Sequence, residues 1–269
     1  MNYAAAVRDN NPYYLDDCRE DGIVAPPMMA VALTWPISER FLDFWGPFTT
    51  ADVLSRQVHY TEHIIWHRCM RPGDSLTVQG ELVSIVPYRT STNMVVCYTA
   101  TDSAGKVVFE EYLGAILRGV KCIGEGRIRD LPSVPELTDR SAVEWEKPVE
   151  IDPLAAHIYD GCTGIVFPIH TSAKFARSVR LPGILYQGTA TLSVAVKEVL
   201  DAEADGNPFQ LRAVNGCFTG MVFPNSTINV RLVGRMPVEK GVGLFFDVLA
   251  DGRKVVSDGY VELRGLGRN

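Results

Sequence analysis

Side chains able to move protons occur in two short stretches of this chain that share a design. Asp9-Asn10-Asn11-Pro12-Tyr13-Tyr14 supplies a carboxylate, an amide and phenols, and Ile165-Val166-Phe167-Pro168-Ile169-His170 supplies an imidazole. Carboxylates and imidazoles are the groups most used for general acid–base chemistry. Each has a plainer reading as well. Asp9 in D-x-N-P suits a turn or helix cap as readily as proton transfer, and His170 behind Pro168 would serve as a structural loop histidine. Gly188 is equally suited to close helix packing.

Metal and nucleotide chemistry find less support. His59, His63 and His67 recur every fourth residue, which on a helix would make a metal-binding face. The surrounding Val58–Trp66 reads instead as a strand, on which the three still share a face. Without H-E-x-x-H or paired cysteines, no metal is expected. Arg68 and Arg71 are within reach of a phosphate, although solvated arginines are the plainer outcome. Gly124-Glu125-Gly126 is too short and badly placed for a dinucleotide loop, so no cofactor is expected.

The elements that must position these groups repeat. Pro168 follows Pro12 by 156 residues and Pro182 follows Pro26 by the same interval. A short helical run (Tyr3 to Val7, then Leu154 to Tyr159) precedes each proton-handling stretch. An apolar stretch (Met28 to Trp35, then Ile184 to Val196) follows each. Further on, Arg71-Pro72-Gly73-Asp74-Ser75 is echoed by Phe223-Pro224-Asn225-Ser226-Thr227, now 152 residues later; a loop absorbs the difference. Three matches in one order indicate duplication. Period-two alternation predicts strands at 58–66, 75–86, 91–101 and 107–117, and again at 209–219, 227–233, 243–249 and 255–263. One apolar helix followed by an antiparallel meander implies an α+β fold in which a sheet wraps a central helix. The halves are expected at 1–121 and 143–269, with 122–142 as linker because Gly, Pro and charge occur there without periodicity.

Bulk properties narrow the partners. Asp and Glu outnumber Lys and Arg, 32 to 26, for a net charge of −6, which disfavours nucleic acid and anionic membrane surfaces. The six cysteines show no C-x-x-C spacing and are read as reduced thiols. Met1-Asn2-Tyr3-Ala4-Ala5-Ala6 lacks a charged signal-peptide start, and no window approaches a membrane span. The expected compartment is the cytoplasm.

Residues 159–191 resemble the MaoC-like hydratase and dehydratase family, whose pattern runs Y-x-x-x-S-G-D-x-N-P-I-H and later G-x-x-x-H-G-M. Here it reads Thr163-Gly164-Ile165-Val166-Phe167-Pro168-Ile169-His170, then Gly183-Ile184-Leu185-Tyr186-Gln187-Gly188-Thr189. Phe218-Thr219-Gly220-Met221-Val222-Phe223-Pro224 carries a third family feature. The resemblance covers most of 145–265, and more loosely 3–120. It implies a double hot-dog fold, a reversible hydro-lyase acting on enoyl-CoA or 3-hydroxyacyl-CoA thioesters, and a homodimer. It also implies His170 as the residue that orients water and the Gly188 N–H as donor to the thioester oxygen, because a helix N-terminus offers free N–H groups and partial positive charge. Ile165 stands at the family's catalytic Asp, Phe167 at its Asn and Gln187 at its His. Asp9 and Asn11 hold the Asp and Asn positions of the first half, where Tyr14 replaces His. Asp9 and Tyr14 are therefore further catalytic candidates, and Gln187, Ile165, Phe167, Tyr159 and Asn11 candidate substrate contacts. The missing proton carrier would be Asp160, Tyr159, or Asp9 with Tyr14. Because isoleucine moves no proton, the alternative is a non-catalytic acyl-thioester-binding or scaffold subunit.

Overall fold

The computed structural model describes residues 1–44, 56–129, 131–140 and 142–265. Ten strands form one sheet: β1 (Gln57–Trp66), β2 (Thr77–Tyr88), β3 (Ser91–Thr101), β4 (Val107–Leu117), β5 (Arg127–Ile128), β6 (Trp145–Ile151), β7 (Leu211–Phe218), β8 (Ser226–Val238), β9 (Gly241–Ala250) and β10 (Arg253–Arg264). Their order is β5-β2-β3-β4-β1-β7-β10-β9-β8-β6; the eight strands from β2 to β8 read the same from either end once each first-half strand is matched to its repeat, and β5 and β6, which are not counterparts in sequence, add one edge strand on each side. The eight strands foreseen from alternation are present. The edge strands β5 and β6 were not foreseen, and the two expected sheets are continuous through antiparallel β1 and β7.

His63 pairs with Asn215 across that seam, and these residues are each other's counterparts at the 152-residue interval. A residue can face its own repeat only on a twofold axis, so the local pseudo-twofold passes through this pair. Near the same axis, Tyr3 and Tyr159, equivalent at 156 residues, meet hydroxyl to hydroxyl at 3.0 Å. Tyr3 also reaches Ser193 Oγ at 2.8 Å, and the Tyr159 hydroxyl donates to Thr189 Oγ1 at 3.1 Å. Both tyrosines are buried. Tyr3→Phe removes one hydrogen bond from each of two buried hydroxyls that keep a second partner and is expected to cost about 0.5–1.5 kcal/mol per bond, read as a lower Tm; an unchanged Tm would show the pair to be idle.

The helices of the two halves differ in length. In the second half, Gly188–Glu203 runs for 16 residues and buries Thr189 through Val196 together with Val199 and Leu200; a helix apolar on most sides must be enclosed. Its first-half counterpart, Ala30–Ser38, has nine residues and contains Pro36, whose missing N–H and ring oppose continuation. The shorter helix covers less of its sheet. On the outer face, Leu131 packs beside Val83, Val95 and Cys97, and Val134 and Leu137 pack beside Val233, Phe245 and Tyr260. The segment expected as a bare linker therefore straps both halves, which is why β9 is a near-continuous apolar run: both its faces are covered.

Candidate active site

The tip of the Gly188–Glu203 helix is the centre of the candidate site. Gln187 occupies the cap position, but no side chain caps the helix, so its first backbone N–H groups have no intrahelical acceptor and carry the positive end of the dipole. Phe218 closes one side. A Cβ added at Gly188 would lie 3.1 Å from that ring, so glycine here permits the aromatic wall to approach the backbone. The Tyr186 N–H donates to Val222 O at 2.8 Å and holds the Phe218–Pro224 loop beside the helix start.

His170 belongs to a one-turn helix, Pro168–Thr171, the counterpart of Pro12–Leu15. Its Nδ1 lies 2.9 Å from Leu185 O. A carbonyl can only accept, so Nδ1 carries the hydrogen and the Nε2 lone pair is left for a ligand. Burial lowers the pKa, opposed by the bond to Leu185, so the ring is neutral at pH 7. Leu185 precedes Gly188 by three residues; the contact thus draws the imidazole and the helix tip together.

Asp160 ties these parts from behind. Its carboxylate accepts from Gln187 Nε2 and from the Phe167 N–H, linking the segment that bears Gly188 to the one that bears His170. Gln187 Nε2 also donates to Ala156 O at 2.9 Å. Asp160 Oδ2 and Gln187 Oε1 are sealed from solvent. Burial raises the Asp160 pKa from 3.8 to about 6, partly offset by the Gln187 and Phe167 hydrogen bonds. The folded state therefore holds this proton more tightly than the unfolded chain does. Its stabilising effect is complete below the unfolded value and is lost as pH rises through the folded one. Asp160→Asn is accordingly expected to gain Tm relative to the parent as pH moves from below 3.8 to above 6, and parallel melting curves would contradict this.

Several expected site residues are placed elsewhere. Tyr159, expected as a substrate contact, is bound to Tyr3 and Thr189 inside the core. Gln187 likewise turns its amide into the protein rather than toward a thioester. Asn11 caps the Pro12–Leu15 helix, accepting from the Tyr13 N–H at 3.0 Å, and donates to Gly206 O at 2.6 Å. Asp9 accepts from the Asn11 N–H at 3.0 Å; burial raises its pKa to about 6, and Lys197, Glu198 and Asp201 are the charges acting on it. Tyr14 is buried beside it, its pKa raised mainly by burial. These partners lie toward the far end of the Gly188–Glu203 helix, about 14 Å along its axis from Gly188 at 1.5 Å per residue. Asp9 and Tyr14 are thus apart from His170 and cannot share a substrate atom with it. Ile165 is buried in the main core, and the Phe167 ring lies 6.3 Å from the His170 ring.

The three-histidine face is also corrected. β1 bulges between His59 and Thr61, which turns His59 to the inner face while His63 pairs outside against Tyr112, ring centroids 6.1 Å apart. Among the described residues no group of His, Cys, Asp and Glu could hold a metal ion, and no helix is long and apolar enough to cross a membrane.

Two mirrored half-sheets, one long buried helix with an uncapped tip, and a histidine tied to the residues just before that tip define a double hot-dog protein. Comparisons agree on the fold. A MaoC-like dehydratase from Phytophthora capsici superposes with a TM-score of 0.85 at 18% identity, covering 98% of this chain and 90% of that one. A Mycobacterium tuberculosis protein described as having a double hotdog fold superposes with 0.63 at 17% identity, covering 97% and 91%. Residues 138–239 match the MaoC like domain and residues 1–111 the FAS1-like dehydratase domain region. The chain carries a MaoC-like dehydratase domain joined to a FAS1-like dehydratase region. By sequence it is 29% identical over 99 residues to the peroxisomal enoyl-CoA hydratase 2 of Arabidopsis thaliana, spanning 37% of this chain and 31% of that protein. It is 42% identical over 82 residues to the fatty acid synthase subunit beta of Aspergillus oryzae, spanning 30% of this chain and 4% of that one. The aligned stretches thus take in less than a third of either relative.

Proposed function

We propose that the chain is a hydro-lyase that reversibly hydrates an enoyl thioester of CoA. The observation that carries this is the uncapped tip of the buried Gly188–Glu203 helix, with His170 held beside it. In hydration the Gly188 N–H bonds the thioester oxygen. A water accepted at His170 Nε2 forms its bond to C3, its proton passes to Nε2, and the C2=C3 electron pair moves onto the thioester oxygen. The imidazolium then returns the proton to C2, restoring the carbonyl, so one water is added and the histidine is regenerated. Dehydration of the 3-hydroxyacyl thioester is the reverse. A preorganised oxyanion donor of this kind is worth about 3–4 kcal/mol. Asp160, sealed behind Gln187, acts as a positioning residue. A cytoplasmic location and a homodimeric assembly belong to the same proposal.

The test is incubation of purified protein with crotonyl-CoA and with longer and branched enoyl-CoAs. Loss of the conjugated thioester absorbance is expected for at least one of them; none for any refutes the reading. The second reading, an acyl-thioester-binding or scaffold subunit, draws on Ile165, a core residue where the family places its proton carrier.

A further inference from the structure

The inner face of the first half is where the repeat breaks chemically. Glu62 is 0% exposed and occupies the position that Val214 holds 152 residues later. Glu111, also buried, lies diagonally across from it on β4, since Glu62 pairs with Leu113 and Ile64 with Glu111. Among the described residues neither carboxylate has a well-aligned hydrogen-bond partner, although the Thr34 hydroxyl lies close enough to Glu111 to act as one. Burial pushes both pKa values well above the carboxylate range; at Glu111 the nearby Glu62 adds to this, and Thr34 and His59 oppose it. On the helix above, the Thr34 hydroxyl acts on Glu111, and the indole N–H of neighbouring Trp35 is buried without an acceptor. A buried polar group without a partner is destabilising, and at the Glu62 position the second half avoids this with Val214.

His59 connects this cluster to the candidate site. Ala115, its partner across the β1 bulge, shares the inner face with Glu111 and Leu113 by the strand's period of two. His59 Nε2 lies 3.1 Å from Thr61 O and 3.1 Å from the Glu62 carboxylate, the latter out of hydrogen-bonding alignment. Nδ1 is the nitrogen left for a ligand. Burial lowers the ring's pKa to about 4, and 28% of the side chain is accessible. The Phe218 ring, which walls Gly188, stands 4.7 Å from it. One aromatic ring separates the helix tip from His59.

We infer that His59, backed by Glu62 and Glu111, is a polar subsite for the acyl chain, and that the thioester taken here carries a hydroxyl or amino group where an ordinary chain carries a methylene. This rests on the thioester lying at Gly188. A hydrogen-bond donor on the chain meets Nδ1 and, by moving the ring, the orphaned carboxylates; an alkyl chain leaves them unmet.

Calorimetry on the intact wild-type protein tests this without turnover, using saturated esters. Hexanoyl-CoA is compared with its terminal-hydroxy and terminal-amino analogues, and the comparison is repeated for the butanoyl and octanoyl series. At one chain length or more, a donor-bearing ester is expected to bind at least about tenfold tighter than the alkyl ester, and Glu62→Val, which installs the residue of the second half, to abolish the preference. Equal or weaker binding of the donor-bearing ester in all three series overturns the subsite while leaving the hydratase reading intact. Absence of binding by every CoA ester overturns both. Should the valine variant fail to fold, the wild-type series decides alone.

Discussion

His170→Ala is expected to lower kcat for enoyl-CoA hydration by about 10²–10⁴, the usual worth of a positioned acid–base group, with a much smaller change in KM. The ring is half-buried and, among the described residues, its protein hydrogen bond is to Leu185 O, so its loss leaves the helix tip and Phe218 in place. Ground-state binding to the Gly188 N–H should therefore persist, which calorimetry with a saturated acyl-CoA would show as a near-unchanged Kd. A drop in kcat and kcat/KM together marks an interaction made in the transition state. His170→Gln, which retains a hydrogen-bonding atom but no titratable one, should recover little. A kcat within about threefold of wild type would remove His170 from the chemistry.

Ile165→Asp pulls activity and stability in opposite directions. The side chain is 7% exposed and packed in the main core, so burying a carboxyl there is expected to cost about 1–3 kcal/mol and to lower Tm. Ile165 follows the left-handed Gly164 and precedes the His170 turn, at the position where the family's pattern has aspartate. A hydratase running on one histidine should then gain turnover by about 10² or more. A binding or scaffold protein whose cleft is not arranged for the reaction would show only the loss in Tm. Measuring rate and melting temperature on the same preparation separates the readings, because a collapsed cleft cannot gain rate.

Much of this molecule was legible in local chemistry. Asn11-Pro12 and Phe167-Pro168 open matching one-turn helices, because proline at the first helical position and the residue before it constrain the backbone without tertiary help. Period-two alternation marked eight strands, since one face of each had to be buried. The residues gathered at the helix tip, His170 and Gly188, were visible because their spacing from prolines and glycines repeats a known pattern. Tyr159, Asn11 and Gln187 were expected as substrate contacts, and the structure gives each of them protein hydrogen bonds: a polar side chain near a site in sequence is as able to satisfy the protein as to meet a ligand, and spacing carries no direction.

The amino-acid order by itself determined the duplication, the strand-rich meanders and the turns, all set by interactions within a few residues. Only the tertiary structure decided that the halves share one sheet, that Asp160 sits behind both His170 and Gly188, and that Asp9 lies at the opposite end of the helix from His170. It alone turned His59 inward: a single bulged residue at Tyr60 reverses the facing of everything before it, and nothing in Val58-His59-Tyr60-Thr61-Glu62 announces which residue will be the extra one. Register across strands is a long-range property, settled when β1 meets β4 and β7 together, and the side chains that face a ligand are chosen at that step.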